Sequence, residues 1–496
     1  MSIFYHSTRS SDELVTSKQA ILRGLAPDGG LYVSDALAEG SLPLDLEAIV
    51  GEGFHDISRR VLGTHLPDYT PEEIASCVAG AYADNFDTPD ITPLVPMGDD
   101  WLLELWHGPT CAFKDIALQM LPRLMSCARP KDGDGIMIVT ATSGDTGKAA
   151  LDGFADVPGC GVTVFFPHGK VSDVQRLQMV TQRGSNVAVC AVHGNFDDCQ
   201  NQVKRIFADP ELAARLAGRG VVLSSANSIN VGRLVPQVSY YVYAYAELVR
   251  RGVVSLGEPV DFCVPTGNFG DVLAGYYAKC MGLPVRRLIV ASNSNKVLTD
   301  FISTGTNNRL REFLKTISPS MDILVSSNLE RLLYYLTDGD CERVATWMGQ
   351  LADEGSYSVS ADVMDRMRET FGCGFANDAE TSATIRSTWE DMGMLIDTHT
   401  AVAKSVLDRI PSDGVPRVCL STANPYKFSA DVLASLGKDV SGMSGFDCMD
   451  MLGSLTGVPV PTQIFGLRSA PVLHPDVIDQ AGMTAFVEAA SARIFS

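Results

Sequence analysis

Apolar positions through the middle of this chain come in short unbroken runs. Ile136-Met-Ile-Val-Thr140, Val162-Thr-Val-Phe-Phe166, residues 187–192, Val221-Val-Leu-Ser224, Phe262-Cys-Val-Pro265 and Leu288-Ile-Val-Ala291 are each bounded by glycine or polar residues. Runs of that length without polar alternation predict strands buried on both faces. Between them lie stretches of helical character at 148–154, at 231–251 and from Asp271 to near Gly282. Strand and helix in turn predict an α/β fold, with parallel twisted sheets covered by helices and ligands gathered at the carboxyl ends of strands. The first ninety or so residues stand apart. Pro27-Asp28-Gly29-Gly30 signals a turn before a short strand, a helix is predicted over 71–82, and Pro89, Pro93 and Pro96 punctuate the chain as a linker would. These breaks divide the chain into an N-terminal domain of residues 1–95 and a main region of 96–496, with a smaller α/β lobe at about 132–240. Residues from about 300 to 395 are helix-rich and charged, and their pattern leaves the topology open.

Composition narrows the function classes. The 496 residues, 46% hydrophobic and 20% charged, suffice for two or three domains with a substantial core. With 39 basic against 59 acidic residues the formal net charge is −20. That argues against a nucleic-acid or anionic-membrane partner, because either needs a basic face. An anionic small molecule would have to be held by a local group of donors. The N-terminus has no sustained apolar stretch, no apolar run approaches membrane-spanning length, and the twelve cysteines form no C-x-x-C pair or zinc-spaced cluster. The expectation is a cytoplasmic protein with reduced thiols and no metal site.

Candidate chemistry starts at Lys114, in His107-Gly-Pro-Thr-Cys-Ala-Phe-Lys114-Asp-Ile-Ala-Leu. Gly108-Pro109 breaks the chain just upstream, so the lysine sits at a loop-to-helix junction beside Phe113 and Ile116. Partial desolvation there lowers an ammonium pKa, as a Schiff base or proton abstraction near neutral pH requires. Gly267, Asn268, Phe269, Gly270 and Asp271 open a helix directly after a strand, a place suited to a phosphate monoester. Ser143, Gly144, Asp145, Thr146 and Gly147 form a second strand-to-helix loop able to bind an oxyanion. Thr146-Gly-Lys148 is not a nucleotide loop, since Thr142 and Ala149 stand where a glycine and a Ser or Thr are needed. Residues 225–233, ending in Arg233, offer amides and a guanidinium for a phosphate, and Lys170 a second cation. Each feature also has a plain reading: a solvated lysine, tight βα turns, an N-cap by Asp145 or Thr146, helix-end charges, and a turn around Ser421-Thr422.

Taken in order, these strings resemble the threonine synthases, pyridoxal-phosphate enzymes of the tryptophan-synthase-β-like, two-lobed fold with an added N-terminal domain. The likeness runs from Gly24-Leu-Ala-Pro-Asp-Gly-Gly-Leu-Tyr through the lysine segment, the two glycine loops, residues 318–330 and Leu395-Ile-Asp-Thr-His-Thr-Ala-Val402 to Leu420-Ser-Thr-Ala-Asn-Pro-Tyr-Lys-Phe428. The resemblance implies conversion of O-phospho-L-homoserine and water to L-threonine and phosphate. It implies that Lys114 carries pyridoxal 5'-phosphate, that residues 267–271 hold the cofactor phosphate and that Thr422 meets the pyridine nitrogen. The substrate carboxylate falls to residues 143–147, and its phosphate to Arg233 and Lys170. Asn424 and Tyr426 replace a family histidine and alanine, and Thr398 stands where proline is frequent. His107 and His399 are expected to be structural, and the chain a monomer or homodimer. A phospholyase releasing 2-oxobutyrate, or a binding protein with a decayed site, would use the same motifs.

Overall fold

Among the described residues, the main region carries a five-stranded and a six-stranded sheet. The computed structural model describes residues 3–130, 132–142 and 144–496. The smaller sheet runs in the order Val477–Asp479, Val187–His193, Cys160–Pro167, Gly135–Ala141, Val221–Ser224, all parallel. Cys160–Pro167 is buried at every position, which is what an unbroken apolar run between two neighbouring strands requires. The lobe expected at 132–240 therefore has a return segment: a C-terminal strand, Val477–Asp479, adds its edge and the helix Met483–Ile494 packs on its face.

The larger sheet has the order Phe371–Phe375, Val285–Ser292, Val260–Pro265, Arg417–Ser421, Asp100–Glu104, Leu94–Met97. It is parallel except at the last pair, so the fold is α/β with a mixed edge. Two parts of this sheet depart from the sequence expectation. Leu94–Met97 lies in the proline-punctuated stretch read as a linker; Pro96 is tolerated because an edge strand leaves one side without ladder bonds. Phe371–Phe375 lies inside the stretch read as helix-rich, as the opposite edge.

Helix Lys114–Ala128 runs between the two lobes, ten of its fifteen residues buried. Helix Asp145–Phe154 packs on it so closely that a methyl group at Gly153 would lie 1.8 Å from the Leu118 carbonyl oxygen. This backbone-to-backbone approach needs glycine and brings the start of the second helix toward Lys114. The N-terminal residues form a small antiparallel sheet (Tyr5–Ser7, Ser10–Val15, Tyr32–Val33) and a helical layer including Phe54–His65 and Pro71–Ala81. Their core is continuous with that of the main region. Tyr69 and Tyr82 donate to the carbonyls of Leu124 and Ile116, at 3.0 and 2.9 Å, and so clamp the lysine helix from outside.

Candidate active site

Three adjacent parallel strands of the larger sheet end in the residues of interest. Val260–Pro265 leads to the 267–271 turn, Arg417–Ser421 to Thr422, and Asp100–Glu104 to the segment ending at Lys114. The lysine segment is folded back on itself: the Thr110 amide and hydroxyl both donate to Asp115, at 2.9 and 2.6 Å. Burial pushes the Asp115 carboxyl up to about 6. The same segment is laced to the neighbouring turn. Phe113 N donates to the Thr422 carbonyl at 2.9 Å, and Asn424 N to the Cys111 carbonyl at 3.1 Å. Thr422 thus sits beside the lysine by sheet register, and its hydroxyl has no partner among the described residues.

Lys114 Nζ, its side chain 14% exposed, lies 3.9 Å from Asp145 Oδ2. Lys427 Nζ, 2% exposed, lies 2.9 Å from Asp145 Oδ1 and donates to the Thr110 carbonyl at 2.6 Å. The approach to Asp145 is off the axis of a good hydrogen bond, so the contact is an ion pair. Burial lowers the Lys114 ammonium from its usual range; Asp145 pulls it back, and Lys427 and Arg233 push it further down. Burial would raise the Asp145 carboxyl, but Lys427 and Lys114 outweigh it and hold that group well below the usual range. Ser320 completes this side: its hydroxyl lies 3.4 Å from Asp145 Oδ2 and its amide donates to His399 Nε2 at 3.1 Å. His399 Nδ1 in turn faces Asp397 at 2.8 Å. His107 is held between Asp87 and Glu104 and stacked on Trp106.

The 267–271 turn has the geometry of an anion cradle. Phe269 takes a left-handed φ of 62° before helix Gly270–Cys280, and the amides of Gly267, Asn268, Phe269 and Gly270 donate to no protein acceptor among the described residues. Free amides at a helix start attract an anion. A methyl group at Gly267 would meet the Ser320 carbonyl oxygen at 2.9 Å. Asp271 points inward, bonded by Thr266 and the Val272 amide, and burial lifts its carboxyl to about 6. Asn328 holds the turn from behind: its amide and Nδ2 both donate to the Asn268 carbonyl, at 3.1 and 3.2 Å, and Nδ2 also to the Ser228 carbonyl at 3.2 Å.

Arg233 lies in the first turn of helix Val231–Arg250, 4% exposed. One nitrogen donates to the Ala226 carbonyl at 2.8 Å, while Nε has no partner among the described residues. Burial lowers its pKa to about 10, which still leaves it charged at neutral pH. A buried guanidinium without a carboxylate partner is costly unless an anion joins it. These open donors, the Thr422 hydroxyl and the depressed Lys114 together fit a phosphorylated aldehyde cofactor and a second anion.

In the smaller lobe, Ser143 lies outside the described residues. The helix expected from Lys148 begins at Asp145, because the Thr142 hydroxyl accepts the amides of Gly144 and Gly147 at 3.0 and 3.1 Å and so caps it. The amides of Asp145 and Thr146 donate to no acceptor among the described residues, but the Asp145 carboxylate belongs to the lysine pair. Lys148 is tied to Asp152 and Gln182. Lys170 stands exposed after Cys160–Pro167, on the same edge of the sheet as the 143–147 stretch, and no contact joins it to Lys114 among the described residues. Sequence reasoning passed over Lys427, Ser320 and Asn328. All three lay in strings quoted for the resemblance, and a lysine five residues after Thr422 was a readable signal.

Comparison with known proteins agrees with this geometry. Residues 91–417 match the family model described as pyridoxal-phosphate dependent enzyme, and residues 4–82 the one described as threonine synthase N terminus. The chain is 39% identical to a threonine synthase of Pseudomonas aeruginosa, over 86% of this chain and 88% of that one. It is 38% identical to human threonine synthase-like 1 over 89% of its own length, but spans only 61% of that longer protein. Among solved structures, pyridoxal-phosphate-bound threonine synthase from Brucella melitensis superposes with a TM-score of 0.89 at 35% identity, covering 99% of this chain and 100% of that one. The yeast threonine synthase structure gives 0.87 at 32% identity, with 99% of each chain covered.

Proposed function

The chain belongs to the threonine synthase family of pyridoxal-phosphate-dependent enzymes, and we propose that it converts O-phospho-L-homoserine and water to L-threonine and phosphate, the last step of threonine biosynthesis. The observation that carries this reading is the placement of Lys114 among two sets of free helix-start amides and a buried guanidinium without a carboxylate partner. The substrate carries both a carboxylate and a phosphate, and the cofactor a second phosphate. Three anions match three groups of donors. The enzyme would work in the cytoplasm as a monomer or homodimer, without nucleic-acid or membrane partners. No helix among the described residues is long and apolar enough to cross a membrane.

Pyridoxal phosphate, when bound, supplies an electron sink for charge developing at the substrate Cα. The amides of Gly267, Asn268, Phe269 and Gly270 would hold its phosphate, with Asp271 fixing the turn through Thr266. The Thr422 hydroxyl would meet the ring nitrogen, leaving it free of a full counter-charge. Lys114 Nζ would carry the cofactor and, once displaced by the substrate amine, take the proton from Cα. Overall, protons would leave Cα and Cβ and be returned at Cγ and Cα, phosphate would leave Cγ, and water would give its hydroxyl to Cβ and its remaining proton to the phosphate. The amides of the 143–147 stretch, chiefly Asp145 and Thr146, would orient the substrate carboxylate. Arg233 would take its phosphate, with Lys170 as an outer cation.

The test is incubation of purified protein with O-phospho-L-homoserine, followed by assay of threonine, 2-oxobutyrate and phosphate. Threonine and phosphate in equal amounts are expected. Phosphate with 2-oxobutyrate would make the protein a phospholyase, and no turnover with bound substrate would make it a binding protein.

A further inference from the structure

Around Lys114 one carboxylate serves two ammonium groups. Asp145 presents Oδ1 to Lys427 at 2.9 Å and Oδ2 to Lys114 at 3.9 Å. The nearer lysine is the more deeply buried and has a second bond, to the Thr110 carbonyl at 2.6 Å. Its own segment is fixed as well: Lys427 N donates to the Asn424 carbonyl at 3.0 Å, and the Asn424 side chain accepts the Tyr426 amide at 3.0 Å. Lys427 therefore has little freedom to leave the carboxylate.

We propose that Lys427 is a positioning residue, the resident counter-ion of Asp145, which leaves Lys114 free to work as an uncharged amine. The proposal rests on the reading of Lys114 as the cofactor-bearing base. A carboxylate buried beside a lone lysine holds that lysine protonated, since neither charge can be left unpaired out of water. Here the carboxylate stays paired whether or not Lys114 carries a proton. The other charged groups facing Lys114 act in opposite senses. Arg233 adds a second repelling cation from helix Val231–Arg250, while Asp271, on helix Gly270–Cys280, pulls the Lys114 pKa partly back up. His399 faces Asp145 from behind Ser320; its Nε2 accepts the Ser320 amide, so it offers that carboxylate no donor.

A lysine that served only to tie its turn to Thr110 would affect folding and leave the titration of Lys114 alone. As a counter-ion it makes two variants move that titration in opposite directions. In K427M, Asp145 has only Lys114 left, and Lys114 should bind its proton more tightly. In D145N, Lys114 faces Lys427 and Arg233 with only Asp271 to offset them and should lose its proton more readily.

The experiment uses the full-length chain freed of cofactor. Its lysines are carbamylated with cyanate across a pH series, and the rate at Lys114 is read by peptide mass spectrometry, with circular dichroism confirming the fold at each pH. The wild-type midpoint should lie below the ordinary lysine value of about 10.4. K427M should raise it, and D145N lower it, by at least about one pH unit, with K427R within about half a unit of wild type. An unmoved or lowered midpoint in K427M, or an unmoved or raised one in D145N, overturns the proposal. If K427M does not fold, D145N decides by the same criterion. Carbamylation reads the unliganded chain, so failure to form threonine would leave the result standing. Threonine formation with unmoved midpoints would sink the counter-ion alone.

Discussion

One methyl group separates the two glycines of the 267–271 turn. At Gly267 it would sit 2.9 Å from the Ser320 carbonyl oxygen, a backbone atom, whereas at Gly270 the nearest atom is the Asn328 amide nitrogen at 3.4 Å. Gly267→Ala should therefore weaken pyridoxal-phosphate binding by at least about tenfold, while Gly270→Ala changes it by less than about threefold. Equilibrium dialysis followed by absorbance compares them, and equal effects would contradict the packing. At Arg233 the expectation concerns the second anion. Arg233→Ala should keep cofactor binding and lose about one to two decades of kcat/KM toward O-phosphohomoserine, the cost of a charge-assisted bond of about 1.5–3 kcal/mol. Loss of cofactor with substrate analogues still bound would mean that the two phosphate sites are exchanged. Lys114, Thr422, Arg233 and the glycine turns were readable because their chemistry lies in short local strings. The pairing of Lys427 with Asp145 was not, because 282 positions of sequence separate them (427 − 145) and only the meeting of two lobes makes the pair.

Elements decide whether those residues meet. The expected strands of both sheets were legible because burial on both faces leaves an unbroken apolar run. Phe371–Phe375 was not, since Phe-Gly-Cys-Gly-Phe is an edge strand with two glycines, only half buried beyond its first residue. The start of helix Asp145–Phe154 was misplaced for a different reason: its cap comes from Thr142, in the preceding loop, through bonds to residues two and five positions on. Among the described glycines, Gly153 of that helix leaves the least room for a methyl group. Gly153→Ala would drive a methyl group into the Leu118 carbonyl, and the backbones must part to admit it. The expected result is a loss of about 1–3 kcal/mol in urea unfolding. Because the separation moves Asp145 away from Lys114, the Lys114 carbamylation midpoint should also shift. A variant as stable as wild type would show that the helices have room the structure does not display.

At the scale of the whole molecule, the N-terminal residues are clasped to the main region by buried polar contacts. Arg9 and Thr8 bond Glu330, and Arg331 Nε donates to the Tyr32 carbonyl at 2.9 Å while its other nitrogens reach Asn328 and the Ile229 carbonyl. His107 closes the same seam elsewhere, between Glu104 of the larger sheet and Asp87 of the connecting stretch, whose amide also donates to the His107 carbonyl at 3.0 Å. Burial alone would lower the His107 pKa, but the two carboxylates prevail and raise it from 6.5 to about 9. A raised folded-state pKa means that the folded chain holds a proton the unfolded chain releases. The stabilisation is complete below about 6.5 and disappears as pH rises through about 9. Its size is about 2–3 kcal/mol, below the full value of the shift because Asp87 is 37% exposed. His65, held down at about 4 by burial, leaves that window clear, and Lys114, with its depressed pKa, adds stability as pH rises toward the lysine range. The buried thiols act with His107 at the upper end: burial pushes Cys77 and Cys111 up to about 12, so they stay protonated in the fold while unfolded thiols ionise from about 8.5. Wild type should therefore lose unfolding free energy between about pH 6.5 and 9, and H107Q, which has no such proton to lose, should trace a curve flatter by about 2–3 kcal/mol over that range. Denaturant titrations at a series of pH values compare the two. Parallel curves would assign the loss to the thiols and to the general repulsion of a chain with a net charge of −20, rather than to this one histidine.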